Sequence, residues 1–460
     1  MGKRHRRHAA HASRVHDDAL SGPSGPRSDR QSHRSTPNPA HARADTDRLV
    51  AAGVIAAATG RGDGRVDGRA DGRVDGRADG PMPIGEVLRR LEAIDRDDLI
   101  DEAVVRHAAP YVTAVWERGW SPLDLVHAVQ HEFDRAIAAL VAEMVVADPA
   151  LQRDDRPDEW SEQLREVGAR RRRTASTRDD FGKLVDRFLV VRFLVTLPRV
   201  VPVVVPPSGW ATARPAAASH RAGADAAVDP RMLERIRALL AKAESTTFEA
   251  EAEAFMAKAQ ELMARYAIDA AMVSAAGSLA GGLAAGVQAR RLHLDDPYAP
   301  QKAQLLGAVA VVNGAQVVWH DGLGFATVMG FPVELDLVEL TFTSLLVQMT
   351  RSMAAAGSGG ARTRSPAFRR AFVLSFAQRI RERLEAARVR ARDEATAHYG
   401  AALVPVQAAR LAAVQERVEE WFPNTQPIRS RQVDAGGWYA GRTAADVARL
   451  EPGLDQLRPG

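Results

Sequence analysis

The chain has 460 residues, enough for two or three domains of ordinary size, and its 46% apolar and 26% charged residues are typical of a globular protein. It contains no cysteine, which excludes disulfides, thiolate zinc sites, iron–sulfur clusters and cysteine nucleophiles. Aromatic residues are few and alanine is abundant, which favours helical cores, and almost all of the 62 basic residues are arginine, for a formal net charge of +4.

The N-terminal part of the chain is basic and of low complexity. Residues 1–48 hold about twice as many basic as acidic side chains, and residues 63–80 repeat Asp-Gly-Arg-Val-Asp-Gly-Arg-Ala. Such segments bury too little apolar surface to offset the entropy lost on ordering. We therefore expect residues 1–82 to form a disordered tail, with ordered structure from about Pro83. The apolar run 49–59 is too far along the chain for a signal peptide and too short for a membrane span, so we expect a cytoplasmic protein without a membrane partner.

Apolar residues at helical spacing predict a helical bundle over residues 83–204. Ser121 and Pro122 are typical of a helix N-cap and first helical position. We expect the helix that begins there to carry one continuous apolar stripe, formed by Leu125, Val129, Phe133, Ile137 and Leu140. Two more helices are predicted, from about 158 to 173 and from about 178 to 197. Residues 205–229 are rich in proline, alanine and glycine and are expected to be a linker.

A helical hairpin is predicted over residues 230–272. The buried face of its second helix would hold Phe255, Ala259, Leu262 and Tyr266. Thr246 and Glu249 fit a capping box at the start of that helix. Lys242 and Ser245 could form a nucleophilic pair, but the same turn residues are what a helix junction uses to satisfy free amides. Capping is therefore the preferred interpretation.

The hairpin carries a dense motif. It contains K-A-E-S-T at 242–246, E-A-E-A at 249–252 and A-Q-E-L-M-A-R-Y-A-I at 259–268. This segment resembles a family of bacterial and phage proteins with a short domain of unknown function, here of actinobacterial type. Residues 287–450 look like the companion domain that usually follows it. The motif positions are Lys242, Glu244, Ser245, Thr246, Glu249, Gln260 and Tyr266. The resemblance implies no activity and no catalytic residues, and occurrence in phages only associates the family with nucleic-acid biology.

The pattern after residue 287 predicts a small α+β domain. Strands are expected at 287–294, 316–320 and 325–329, with Asp321-Gly322 as a hairpin turn. Helices are expected at 301–312, 333–353, 366–396 and 405–421, followed by a glycine-rich end near 435–441. The predicted fold class is therefore mainly α: a helical bundle, a helical hairpin and a small α+β domain, after a disordered N-terminal tail.

The strongest chemical feature is the helix predicted after Pro366. Its apolar stripe includes Phe368, Phe372 and Phe376, and arginines cover the rest of its surface. Arginine forks suit phosphates, and a basic stripe on one element is typical of a nucleic-acid surface. The candidate contact residues are Arg364, Arg369, Arg370, Arg379, Arg383 and Arg390. The opposing interpretation is that arginine is the default polar residue here and that the acidic segment with Glu334, Asp336 and Glu339 pairs with this helix.

Catalytic and metal-binding signals are weak. His127 and His131 have the i, i+4 spacing of zinc proteases, but the catalytic glutamate is missing because position 128 is Ala and position 130 is Gln. His320 beside Asp321 is a lone histidine at a strand end, which is usually structural. We therefore predict no cofactor, no metal and no catalytic residues.

Three functional hypotheses remain. The first is a non-catalytic, nucleic-acid-associated binding or regulatory protein that acts through the basic helix. The second is a helical protein–protein interaction module, in which the apolar stripe of the hairpin docks a protein partner. The third is an enzyme without a recognisable motif, which a pocket lined by His293, His320 and Asp321 would favour.

Overall fold

A computed structural model describes residues 39–60, 82–94, 97–173, 179–212, 283–357, 363, 365–399, 403–426 and 434–448, with a few single positions between 231 and 262. The chain divides into two compact units, residues 1–44 and residues 45–460. Of the first unit only the beginning of one helix is described. All contacts discussed below lie within the second unit.

Ordered structure begins well before the predicted position. Residues Pro39–Thr59 form helix α1, with Val50 and Val54 almost fully buried in the bundle core. The prediction that order starts near Pro83 was therefore wrong for this segment, because Val50, Val54 and Ala57 of its apolar run pack into the bundle core. The rest of the predicted tail, residues 1–38 and 61–81, lies outside the described residues.

The helical bundle predicted from periodicity is present. It comprises α2 (Ile84–Glu92), α3 (Asp97–Trp116), α4 (Pro122–Glu132), α5 (Arg135–Ala147), α6 (Asp158–Arg173) and α7 (Asp180–Thr196). Ser121 caps α4 in a capping box with Asp124, as the sequence indicated.

The helix predicted to begin at Pro122 is divided into two helices, α4 and α5. The apolar stripe from Leu125 to Leu140 is interrupted at Phe133, whose backbone leaves the helical region with φ −116° and ψ −104°. Asp134 then caps α5 by accepting a hydrogen bond from the amide of Ile137 at 2.9 Å. A local cap therefore overrides an apolar period that continues across the break.

Three tryptophans fix the far end of the bundle. Trp160 stands edge to face against both Trp116 and Trp210, with ring centroids 5.7 and 5.4 Å away. The indoles of Trp160 and Trp210 both donate to the carbonyl of Val205, each at 2.9 Å. The predicted linker thus starts late, because residues 205–210 are packed against the bundle and Trp210 is fully buried.

The predicted α+β part is also present. Strands β1 (Gln288–His293), β2 (Gln316–His320) and β3 (Phe325–Gly330) form an antiparallel sheet with β3 in the middle. The β2–β3 turn contains Gly322 and Gly324, both with positive φ. Helices α8 (Ala299–Val312), α9 (Pro332–Ala356), α10 (Pro366–Tyr399), α11 (Leu403–Trp421) and α12 (Ala435–Asp446) complete the body.

Helix α12 replaces the predicted glycine-rich end. Its glycines let it run very close to α10: a Cβ at Gly437 would lie 2.2 Å from the carbonyl oxygen of Phe368, and one at Gly441 would lie 2.2 Å from that of Phe372. The glycines of the predicted glycine-rich end therefore mark close helix packing. The described positions of the hairpin, which include Lys242 and Leu262, are all helical.

Candidate functional site

The basic helix α10 presents arginines in two opposite directions. At 100° per residue, Arg370, Arg381 and Arg388 lie within about 20° of one another, along about 27 Å of helix. We call these three residues the outer face. Arg379 and Arg383 lie on the opposite side, toward α12. The two sides differ in what their guanidinium groups contact.

The side toward α12 is occupied by intramolecular contacts. Arg379 bonds to Asp446 at 2.5 Å and to Glu382 at 2.9 Å. Arg383 donates to the carbonyl of Ala445 in the last turn of α12 and, at 2.6 Å, to that of Ala448 just beyond the helix. Hydrogen bonds from Arg442 and Arg379 lower the pKa of Glu382 to about 2. Two of the predicted contact residues therefore hold α12 against α10.

The outer face is largely free. Arg370 and Arg381 are exposed, and within the described part of the chain neither one has a hydrogen-bond or ion-pair partner. Arg388 is half-buried and donates to the carbonyl of Val311 at 3.2 Å. Arg381 is not among the contact residues predicted from the sequence, because only the position of α12 shows which side of the helix stays exposed.

The remaining predicted arginines add little to this face. Arg369 is half-buried, and its Nε is buried without a partner among the described residues. Arg364 lies outside the described residues, as does the side chain of Arg390.

The acidic segment does not neutralise α10. Glu334 bonds to the buried Arg410 of α11 at 2.6 Å, and Asp336 and Glu339 bond to Arg290 of β1 at 2.9 and 2.6 Å. The expectation that these carboxylates pair with the basic helix was therefore wrong. They lie on α9, which directs them toward β1 and α11.

A groove of about 1170 Å³ runs between α8 and α10. Its floor is formed by small and aliphatic side chains, and Val311 and Val389 on it are 43% and 45% exposed. The half-exposed Trp438 of α12 closes one part of it. The polar groups on its rim are Gln304, Gln378, Arg381, Glu382 and Glu385.

A second polar cluster lies where α4 meets the sheet, and we call it the junction. Asp124 is buried and accepts bonds from Arg291 at 2.5 Å, from His293 at 2.9 Å and from Ser121 at 2.6 Å. Arg291 also donates to the carbonyls of Gly119 and Val201, at 3.1 and 2.6 Å. This network ties β1 to the bundle.

Four histidines lie around the ion pair of Asp124 and Arg291. His127 of α4 stacks on His293 of β1, with centroids 4.5 Å apart, and its Nε2 donates to the carbonyl of Gly324 at 2.8 Å. His131 lies 2.9 Å from Asp296. His293 and His320 are both paired across the sheet with Phe325, and His320 contacts Thr327 at 2.8 Å. Sequence spacing had found the His127/His131 pair but not its partners.

The electrostatics of the junction favour the neutral forms of His127 and His320 and the charged form of Asp124. Burial would raise the pKa of Asp124, but Arg291 and the hydrogen bonds from His293 and Ser121 outweigh it, so the pKa is lowered. Burial and then the neighbouring His293 lower the pKa of His127 to about 4. Burial and then Arg291 lower the pKa of His320 to about 4.

The enzyme hypothesis required a pocket lined by His293, His320 and Asp321, and the junction does not bring these three side chains together. His293 and His320 do approach the same ring, that of Phe325, but Asp321 is exposed at the turn. In the described ranges, no three His, Asp or Glu side chains are grouped closely enough to hold a metal ion. None of the helices described there is long and apolar enough to cross a bilayer.

Of the seven motif positions in the hairpin, only Lys242 lies among the described residues. Lys242 is helical and exposed, whereas Glu244, Ser245, Thr246, Glu249, Gln260 and Tyr266 lie outside the described residues. Leu262, the described member of the predicted apolar stripe, is only 6% exposed. At this position the stripe is core and not an exposed docking face.

Comparison with known proteins identifies this hairpin and nothing else. A family model described as "Protein of unknown function (DUF2786)" matches residues 231–270. The chain therefore contains a short domain of unknown function at the position where the motif predicted one. No curated protein and no solved structure matches the chain.

Proposed function

We propose that the protein is a non-catalytic nucleic-acid-binding protein and that the outer face of α10 contacts the phosphates. The observation that carries this proposal is that Arg370 and Arg381 are exposed on one side of the helix without a carboxylate partner in the described part of the chain. An arginine that is already paired within the protein has little to gain from a phosphate, whereas a free guanidinium can take the bidentate geometry that phosphate oxygens offer.

The separation of the arginines is consistent with a backbone contact. Arg381 lies about 16 Å along the helix from Arg370. Because successive phosphates are about 3.4 Å apart along each strand of a duplex, the two arginines can contact phosphates about five positions apart. Such contacts give affinity without base specificity, as expected of a backbone-binding surface.

We also propose that residues 287–450 are the companion domain of the hairpin family and that the protein acts in the cytoplasm. The occurrence implied by the resemblance, in bacteria and their phages, supports a nucleic-acid role by association only.

The proposal is tested by the salt dependence of binding. Each phosphate contact contributes about 0.9 to the slope of log K against log salt for duplex DNA. We expect the double variant Arg370→Ala, Arg381→Ala to bind more weakly at low salt and to lower the slope by about 2. Binding of mixed-sequence DNA and RNA to the full chain, by fluorescence anisotropy between about 50 and 200 mM salt, measures both quantities.

A control must remove the same charge elsewhere. Arg165 and Arg172 are exposed on α6 of the bundle. The variant Arg165→Ala, Arg172→Ala should bind like the wild type. Equal losses in the two double variants would mean that only net charge matters and would refute a site on α10.

The full chain is needed for this experiment. A truncation at residue 83 would remove the tail but also α1, and with it Val50 and Val54 from the bundle core. Loss of binding in that truncation would not distinguish a role of the tail from unfolding. A shorter truncation that keeps residues 39–460 avoids the ambiguity.

A further inference from the structure

We propose that the groove between α8 and α10 binds single-stranded nucleic acid, with the bases against its apolar floor and the phosphates on the outer face. This inference rests on the proposed function and names its substrate class. It starts from the position of Arg381, which belongs both to the outer face and to the rim of the groove.

The size of the groove favours an extended ligand. Its volume of about 1170 Å³ exceeds the roughly 300–1,000 Å³ of typical small-molecule sites. The segment of α10 that lines it, from Leu374 to Val389, is about 22 Å long. A groove of this length takes several nucleotides and not a single metabolite.

The lining is suited to the faces of bases. Gly307, Ala308 and Ala377 are small, so a flat ring can approach the helix backbones closely. Val311 and Val389 remain nearly half exposed, and Trp438 offers an aromatic ring in the same groove. Single-strand binding proteins combine such stacking surfaces with a positive track for the backbone.

The charges on the rim agree with this orientation. Arg381 is unpaired among the described residues, whereas Glu382 is already bonded to Arg379 and Arg442. Gln304, Gln378 and the exposed Glu385 can accept hydrogen bonds from the amino groups of bases. A phosphate would be repelled by Glu385, so the backbone is placed on the side of Arg381 and Arg370, since Arg388 already donates to the carbonyl of Val311.

A duplex cannot use this surface in the same way. Its bases are paired and stacked, so only its phosphates would reach the helix, and the floor of the groove would stay empty. We therefore expect the full chain to bind a single strand of about 16 nucleotides at least tenfold more tightly than the duplex of the same sequence.

The decisive variant is Trp438→Ala. Loss of one stacking contact should weaken single-strand binding by about 5- to 150-fold and leave duplex binding unchanged. Trp438→Phe should restore most of the affinity, because the ring is retained. Tyr439→Ala is the matched control, since Tyr439 is the adjacent aromatic residue, is 76% exposed and does not line the groove.

A second variant covers the case in which Trp438→Ala does not fold. Val389→Asp places a charge on the exposed floor, where folding tolerates it, and should weaken single-strand binding at least fivefold. Single-strand preference together with both losses supports the inference. Equal binding of both forms, with no effect of either substitution, overturns it but leaves the outer face as a phosphate surface.

Two other results can be distinguished from these and from each other. If neither form binds the full chain, the proposed function and this inference both fail. If the protein self-associates in sedimentation and Val389→Asp makes it monomeric, the groove is an interface with a second copy, which overturns the inference.

Discussion

The junction and the outer face of α10 both depend on arginine, but they use it in opposite ways. At the junction, Arg291 is 3% exposed, and it bonds to Asp124 and to two carbonyls. On the outer face, Arg370 and Arg381 are exposed, with no partner in the described ranges. The difference teaches that the number of arginines on a helix does not show how many are available to a ligand. The position of neighbouring helices and strands determines how many arginines remain available.

The largest effect is expected from breaking the junction. Asp124→Ala leaves the buried charge of Arg291 without its carboxylate, and removing one partner of a buried pair costs about 3–5 kcal/mol. The free energy of unfolding, measured by urea titration with a check for two-state behaviour, should fall by that amount. Glu92→Ala, at the exposed end of α2, is the control and should change it by less than about 0.5 kcal/mol. A similar small change in both variants would mean that the junction does not stabilise the fold.

The next largest effect on stability is expected from adding a methyl group where α12 packs against α10. A methyl group at position 441 would collide with the carbonyl oxygen of Phe372 and with Oγ of Ser375, each 2.2 Å away. Gly441→Ala should therefore lower the melting temperature, by overpacking that costs about 1–3 kcal/mol. Gly85→Ala should instead be neutral or stabilising, because Gly85 is helical and nothing lies within 4 Å of its Cβ position. An unchanged melting temperature in Gly441→Ala would show that α12 is not seated on α10 as described.

Acid should weaken the junction and leave the outer face unchanged. His127 and His320 have folded pKa values of about 4, below the ordinary value near 6.5, so they are neutral in the folded protein. The contribution of each histidine to stability is then complete well above about pH 6.5 and is lost as the pH decreases from there toward 4, because the unfolded chain takes up the proton first. Each histidine contributes about 1.4 kcal/mol per pH unit in that window.

Urea titrations at several pH values test this slope. Asp124, whose pKa is lowered from an ordinary value near 3.9, adds to the slope only below about pH 5, so the slope is compared between about pH 5 and 6.5. His127→Gln can keep the bond to the Gly324 carbonyl but cannot titrate, and should reduce the slope by about one proton. A slope that is the same in the variant and in the wild type would contradict the assignment of His127 as a buried neutral histidine.

The smallest effect on stability is expected on the outer face. Arg370→Ala with Arg381→Ala should change the free energy of unfolding by less than about 0.5 kcal/mol, since both side chains are exposed. Unfolding of this variant, measured beside its binding defect, separates a lost contact from a lost fold. A large destabilisation would mean that these arginines have structural partners.

The fold could be predicted wherever the signal is local. The bounds of α7, α9 and the three strands agree with periodicity and turn residues to within a few positions, because apolar spacing and the Asp321-Gly322 turn act over short distances. The helix break at Phe133 was not predicted, because the apolar period continues through it and the break depends on the cap formed by Asp134.

The features that could not be predicted depend on contacts between residues that are far apart in the chain. Residues 435–441 were predicted only as a glycine-rich end, and the close packing of Gly437 and Gly441 against the carbonyls of α10 becomes apparent only in the structure. His127 has its partners at Gly324 and His293, far along the chain, so no motif could have joined them. In the same way, the sequence placed arginines on α10, but only the position of α12 separates paired Arg379 from Arg381, which has no partner among the described residues.

The most direct test of a nucleic-acid surface on α10 is to locate the bound strand by crosslinking. A photoreactive single-stranded oligonucleotide is bound to the full chain, irradiated, and the linked peptides are identified by mass spectrometry. We expect crosslinks to residues 374–389 and to Trp438, which are lost in the Arg370→Ala, Arg381→Ala variant. Crosslinks confined to the basic residues 1–48, unchanged in that variant, would contradict the central claim and assign binding to the tail.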